Sequence, residues 1–163
     1  MATDQDRQVK LRPVRPDDEE FIYAVYASSR AEEMAIVPWN DEQREMFLRS
    51  QFAAQQKHYR GYYPEARHQI ILLDEQSVGR LYVDRQDQEI RILDITVLPG
   101  NRGRGIGSLL IKQLMDEAAA ANRGLTIYVE SFNRSRSLFE RLGFVPIEED
   151  GFQLLFEWRP DEK

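Results

Sequence analysis

Cysteine is absent from the sequence, which excludes disulfide bonds, thiolate nucleophiles and thiolate metal sites. Histidine is almost as scarce, because the chain has only two, His58 and His68. Neither histidine has a second potential ligand near it in the sequence at the spacing that metal sites use. We therefore expect no metal site.

The sequence also lacks an excess of positive charge and a long apolar run. Lys and Arg number 22 against 28 Asp and Glu, so the formal net charge is −6. This balance argues against general nucleic-acid binding and mildly favours a cationic small substrate. Because no apolar run is long enough to span a bilayer and the N-terminus has no apolar signal core, we expect a cytoplasmic protein without a membrane partner.

What is present is the composition of a globular protein, with 42% hydrophobic residues and no internal repeat or linker. We expect one domain over residues 1–163. Hydrophobic periodicity predicts a mixed α/β fold in the order βααβββαβαββ, with a largely antiparallel sheet of about seven strands and about four helices. The predicted strands cover 9–14, a hairpin at 68–85, 89–98, 125–130, 144–149 and 152–158, and the helices cover 15–29, 41–64, 106–121 and 133–142.

Two of these elements carry specific expectations about their faces. The strand at 89–98 is apolar on both sides, which is typical of a covered central strand. Alternation places Ile90 and Ile92 on one face and Leu93, Ile95 and Val97 on the other. In the helix at 41–64, the residues expected to face the core are Met46, Phe47 and Phe52.

A glycine-rich loop joins the central strand to the helix at 106–121. Its sequence, LPGNRGRGIGSLL at 98–110, places Gly103, Gly105 and Gly107 together with two arginines where the helix begins. The first amides of a helix have no intrahelical acceptor, and the helix dipole makes that end partly positive. Glycines let a ligand approach the main chain, and arginines add full charges. The loop is therefore predicted to hold a phosphate or pyrophosphate.

Two common phosphate-binding motifs fit this loop poorly. A P-loop needs a Lys-Ser/Thr pair after its last glycine, whereas Ile106-Gly107-Ser108 stands here. A dinucleotide fold needs G-x-G-x-x-G near its first strand, whereas this G-x-G-x-G lies late in the chain.

The segment ITVLPGNRGRGIGSLLI at 95–111 resembles the acyl-CoA-binding motif of the GNAT superfamily of N-acetyltransferases. That motif is Arg/Gln-x-x-Gly-x-Gly/Ala between a strand and a helix, matched here by Arg102, Gly105 and Gly107. NRSRSLFERLGF at 133–144 resembles a second segment of the family. The first strand and helix and the last strand also resemble those of the family. The resemblance therefore covers almost the whole chain and implies the GNAT fold.

The resemblance also implies how acetyl-CoA is held. In the family the strand before the loop parts from its neighbour, and pantetheine enters the gap like an additional strand. The loop amides hold the pyrophosphate, and an asparagine contacts the pantetheine arm. The implied cofactor-binding residues are Ile95, Thr96, Val97, Arg102, Gly103, Arg104, Gly105, Ile106, Gly107, Ser108, Asn133, Arg136 and Phe139.

The implied reaction is direct attack of a primary amine on the thioester, which needs a base and an oxyanion donor such as an amide near Val97. Glu130 is the first candidate for the base and Asp94 the second, with a structural hydrogen bond as the other interpretation of Asp94. The tyrosine that the family uses as the thiolate acid is replaced by Phe139, which has no proton to donate. Either another group or water takes that role, the thiolate leaves unprotonated, or the protein is a weak catalyst.

The acceptor is expected to be a small-molecule or peptide amine, and its pocket is predicted to include Trp39, Tyr82 and Tyr128. The chain is expected to be a monomer or a homodimer. Two other functions stay open: a non-catalytic acyl-CoA-binding or sensing domain of the same fold, which Phe139 favours, and a nucleotide-binding protein of another fold.

Overall fold

The computed structural model describes residues 8–131, 133 and 135–160. Within them, seven strands form one sheet in the order β1-β2-β3-β4-β5-β7-β6. Neighbouring strands are antiparallel except β4 and β5, which are parallel. The strands are β1 Val9–Pro13, β2 Arg67–Leu73, β3 Gln76–Arg85, β4 Glu89–Val97, β5 Gly124–Glu130, β6 Val145–Glu149 and β7 Gln153–Trp158.

Five α-helices accompany the sheet in the described residues, and their number and order confirm the predicted fold class except for one short additional helix. None of them combines the length and apolar composition that a bilayer crossing requires. The helices are α1 Glu19–Ser29, α2 Ala31–Ala35, α3 Asp41–Tyr62, α4 Ile106–Ala120 and α5 Arg136–Arg141.

The sheet has an apolar core on each face. On one face α4 and α5 pack against the sheet, with Leu110 and Phe139 among the buried side chains. On the other face α1 and α3 pack together over β2, through Ile22, Phe52 and Ile70. Because both faces are covered, the centre of the sheet is accessible only where its strands separate.

The pairing of β3 with β4 shifts by one residue in the middle of both strands. Tyr82 lies opposite Asp94, whereas the next residue, Val83, lies opposite Ile92. Leu93 is therefore an extra residue in β4, a β-bulge.

This bulge reverses the faces of the second half of β4, because one inserted residue shifts the side-chain alternation by one position. Ile95 and Val97 pack against the same core as Ile90 and Ile92. The prediction that these two pairs lie on opposite faces is wrong. The apolar alternation changes phase between Ile92 and Leu93, a pattern that fits either a strand apolar on both faces or a bulge.

The inward face of α3 also differs from the expectation. Phe52 is buried as predicted, but Met46 is 68% exposed and Phe47 38% exposed, while Leu48 is buried instead. Leu48, Phe52 and Tyr59 follow the helical repeat and form the side that meets the sheet.

Candidate functional site

A cleft opens where β4 and β5 part. Their last register pair is Ile92 with Ile127. Beyond it, β4 continues to pair with β3 as far as Val97, and β5 continues to pair with β7 as far as Glu130. Each border of the gap is thus held by its outer neighbour, which keeps a cleft of about 1040 Å³ open between them.

The β4 border of this cleft presents main-chain groups to the gap. The amide of Leu98 donates to the carbonyl of Val78 at 2.8 Å, on the β3 side. Because successive residues of a strand direct their N–H and C=O groups to alternate sides, those of Val97 and Ile95 face the gap. The Thr96 side chain is engaged within the same strand, where it donates to Asp94 Oδ1 at 2.9 Å.

At one end of the cleft, the glycine loop supplies a set of free amides. Gly103 and Gly105 adopt φ values of +80° and +78°, which residues other than glycine rarely adopt. The amide of Leu109 makes the first bond of the α4 ladder, to Gly105 O at 2.9 Å. The amides from Gly103 to Ser108 have no main-chain acceptor among the described residues. Unpaired amides at a helix N-terminus attract negative charge, so this arrangement suits a phosphate group.

The arginines around the loop differ in position. Arg102 lines the cleft, and its Nε donates to Val97 O at 3.2 Å, which ties the loop to β4. Arg141 of α5, which sequence reasoning missed, also lines it. Arg104 is exposed and outside the lining. Arg136 is likewise outside, because it extends towards Glu140 at 3.5 Å.

The segment after β5 places Asn133 and Phe139 against the cleft. The Asn133 side chain accepts a hydrogen bond from the Ser135 amide at 2.8 Å. Phe139 is 2% exposed and packs edge-on against Phe144, with 5.2 Å between ring centroids. Phe139 is thus a wall residue that is also part of the core.

Glu130, the first candidate base, lies in the cleft and is ion-paired. Arg30, directly after α1, donates from Nη1 to Glu130 Oε1 at 2.6 Å and to Glu33 Oε1 at 3.1 Å. Burial opposes the charge of Arg30, but the hydrogen bond and charge of Glu130 outweigh it and raise the pKa of Arg30. The guanidinium is therefore a fixed cation between two carboxylates.

Asp94, the second candidate, is the partner of a fully buried cation. Arg80 has no exposed surface and donates from Nε to Asp94 Oδ2 at 2.5 Å. Its Nη2 donates to Gln55 Oε1 at 2.6 Å. This geometry matches the structural interpretation of Asp94, although the carboxylate also lines the cleft.

Of the three aromatic residues predicted for the acceptor pocket, the structure brings only Tyr128 into the cleft. Tyr128 is 43% exposed, with the Arg91 guanidinium 4.9 Å from its ring centroid. Trp39 packs instead against Phe47, and Tyr82 is buried. Both lie outside the cleft lining.

Comparison with known proteins decides the family. The profile of the acetyltransferase (GNAT) domain matches residues 64–146, about half of the chain. The protein belongs to the GNAT family of acetyltransferases. The segment that matches contains the parted strand and the glycine loop of this GNAT domain. A comparison with curated proteins finds no match.

Solved structures share the fold of this GNAT domain at low sequence identity. The PaiA N-acetyltransferase of Thermoplasma acidophilum, solved in complex with coenzyme A, is 16% identical with a TM-score of 0.71, covering 94% of this chain and 99% of that one. An acetyltransferase of Thermus thermophilus is 18% identical with a TM-score of 0.67, covering 94% and 97%. An acetyltransferase of Streptococcus agalactiae is 18% identical with a TM-score of 0.64, covering 96% and 99%.

GNAT domains use acetyl-CoA, and the residues of this domain fit that cofactor. A Cβ added at Gly103, Gly105 or Gly107 would meet no atom within 4 Å, so the space above the loop amides is open. The loop amides, with Arg102 and Arg141 in the cleft lining, suit a diphosphate. The parted edge of β4 suits a chain that carries amides.

Among the residues of the cleft that sequence reasoning missed are Arg30, Tyr59 and Arg141. Arg141 lies within the predicted second segment and could have been found from its position near Phe139. Arg30 and Tyr59 come from helices on the other face of the sheet. Their pairing with β5 and β4 spans 100 and 34 residues of chain, and no local pattern indicates it.

Proposed function

We propose that this protein transfers the acetyl group of acetyl-CoA to a primary amine by direct attack of the amine on the thioester. The observation that carries the proposal is the continuity of the cleft. It leads from the amides of the glycine loop, along the free edge of β4, to the carboxylate of Glu130. The groups that we propose for binding the cofactor and the proposed acid–base group thus line a single cavity.

The loop amides from Gly103 to Ser108, together with Arg102, are proposed to bind the diphosphate. The main chain at Ile95 and Val97 is proposed to bind the pantetheine amides, with the Val97 carbonyl released from Arg102 when it does so. Asn133 is proposed to contact the same arm. We retain Arg104, Arg136 and Thr96 only as residues beside the cofactor, because their side chains are exposed or engaged elsewhere.

When bound, acetyl-CoA supplies an activated acyl thioester. The attacking amine must be neutral, so a base has to remove its proton. Glu130 is proposed as that base, and Arg30 has to yield the carboxylate to the arriving ammonium group. An amide of β4 that faces the gap, at Ile95 or Val97, is proposed to stabilise the oxyanion. Phe139 contributes packing and no proton.

Calorimetry with acetyl-CoA tests the binding site. We expect wild-type protein to bind at submillimolar concentration and Arg102→Glu to bind about 10- to 100-fold more weakly, because a charge-assisted contact becomes a repulsion. Lys112→Glu, on the exposed side of α4, is the control charge reversal and is expected to bind within about twofold of wild type. Absence of binding by wild type would refute the function, and equal effects of both reversals would refute the loop assignment.

Thiol release with a panel of amines tests catalysis. Glu130→Gln is expected to lower kcat about 100-fold or more while leaving the affinity for acetyl-CoA unchanged, since loss of a general base has effects of that order. Glu33→Gln removes the other carboxylate on Arg30 and serves as the control. Equal kcat values for the two variants would contradict the role of Glu130.

A second function is favoured by a specific observation: both candidate bases are held by arginines, and Phe139 offers no acid. A non-catalytic domain that binds or senses acyl-CoA would have this arrangement. It predicts tight binding of acetyl-CoA without thiol release for any amine in the panel, whereas turnover with one amine excludes it.

A further inference from the structure

Tyr59 lies where β4 leaves β5. Its hydroxyl donates to the carbonyl of Leu93, the bulge residue, at 2.9 Å. Leu93 has no partner in the β3 register, and the last β4–β5 pair precedes it. Its carbonyl is therefore the first acceptor on β4 that neither neighbouring strand uses. A side chain from α3 occupies it.

The ring of Tyr59 is held firmly in this position. It packs edge-on against Tyr82 at 5.1 Å and against Tyr63 at 6.4 Å between centroids. Burial first, and then the negative charge of Asp94, raises the pKa of the Tyr59 hydroxyl. The hydroxyl therefore keeps its proton in neutral solution and remains a hydrogen-bond donor.

The contact defines one end of the free β4 edge. From Leu93 towards the loop, the next main-chain groups that face the gap belong to Ile95 and then to Val97. At the far end Val97 O accepts from Arg102. Between the side chains of Tyr59 and Arg102, one repeat of β4 leaves main-chain groups of Ile95 and Val97 available for a ligand.

We propose that Tyr59 is a positioning residue that fixes how deeply the acyl-pantetheine arm enters the cleft. The inference rests on the proposed function. An arm that adds to the edge of β4 can pair at Val97 and Ile95 but not further inward, because Leu93 O is already bonded. This limit holds the thioester at one depth and leaves room for a short acyl group.

The test compares Tyr59→Phe, which removes only the hydroxyl, with Tyr63→Phe, which removes the hydroxyl of another ring, directly after α3, that also lines the cleft. For Tyr59→Phe we expect kcat to fall about tenfold with KM for acetyl-CoA within twofold, because misplacement of a reacting group slows chemistry strongly. By calorimetry without acceptor, the preference of wild type for acetyl-CoA over propionyl-CoA is expected to shrink about fivefold or more, while the affinity for free CoA is unchanged. Tyr63→Phe is expected to match wild type in all three measurements.

A Tyr59→Phe variant whose kcat and acyl preference both lie within twofold of wild type would overturn the inference while the proposed function stands. An equal loss in Tyr63→Phe, or weaker binding of free CoA by Tyr59→Phe, would also overturn it, because each indicates a general structural role. Failure of wild type to bind CoA would refute the proposed function itself. Circular dichroism confirms in each case that the variant is folded.

Discussion

Asp94→Ala is expected to lower the free energy of unfolding by about 3 kcal/mol, because it leaves a buried cation without its counter-ion. Arg80 has no exposed side-chain surface, and Asp94 Oδ2 is its only charged partner among the described residues. With Asp94 removed, the acceptor that remains to the guanidinium in the described part of the chain is the neutral Gln55 Oε1. Desolvation of the charge is then poorly compensated.

Urea unfolding measures this loss, and two further variants define its origin. Asp94→Asn keeps one acceptor oxygen and is expected to lose less. The double variant Arg80→Met/Asp94→Ala removes both charges and is expected to recover much of the stability, since an apolar replacement of a buried pair is often neutral. If Asp94→Ala unfolds within 1 kcal/mol of wild type and the double variant is no better, the ion pair does not stabilise the fold.

The same variants separate the two interpretations of Asp94. A structural partner affects unfolding more than chemistry, so Asp94→Asn should keep most of its turnover once folded. If Asp94 is instead the base, Asp94→Asn should lower kcat about 100-fold without loss of stability. The position of Arg80 favours the first outcome.

Gly79→Ala is the second change with a large expected effect. A Cβ on Gly79 would lie 2.2 Å from the carbonyl oxygen of Thr96 and 3.0 Å from Val97 Cα. Both atoms belong to the backbone of β4, so the clash can be relieved only by moving β3 away from β4. We expect a loss of about 3 kcal/mol in the free energy of unfolding, the upper end of what overpacking costs.

Because Gly79 pairs with Val97 beside the cleft, the displacement is also expected to weaken acetyl-CoA binding in the folded fraction. Gly61→Ala in α3 is the control, since an added Cβ there meets no atom within 4 Å. It is expected to leave stability unchanged or raise it by up to about 1 kcal/mol. Equal thermal and urea midpoints for Gly79→Ala and wild type would contradict this close approach of β3 and β4.

The features that could be predicted from the sequence are those that local chemistry determines. The amide-rich loop follows from glycines and arginines at a strand–helix junction, and the element order follows from hydrophobic periodicity. The bulge at Leu93 was not predicted, although the alternation of apolar residues changes phase between Ile92 and Leu93. The same pattern is also expected of a strand that is apolar on both faces, and local sequence does not distinguish the two. The prediction of which α3 residues face the core was wrong in part, because Met46 and Phe47 are as apolar as Leu48 and composition does not distinguish them.

The ion pairs of the cleft were also beyond prediction. Glu130 and Asp94 were identified as acids near the centre of the sheet, but their partners come from elements distant in sequence. Arg30 reaches Glu130 across the cleft, and Arg80 reaches Asp94 from the neighbouring strand. Only the tertiary arrangement shows that each candidate base already has a counter-ion.

The parting of β4 from β5 has a consequence for the lifetime of the protein. Only four register pairs join the half-sheet β1–β4 to the half-sheet β5–β7, so the fold has a seam through its middle. A molecule that hydrogen-bonds to the edge of the seam makes the sheet more nearly continuous, and it binds the folded chain but not the unfolded one. A larger metabolic supply of such a molecule would then make this protein more resistant to proteolysis, in addition to speeding the reaction it catalyses.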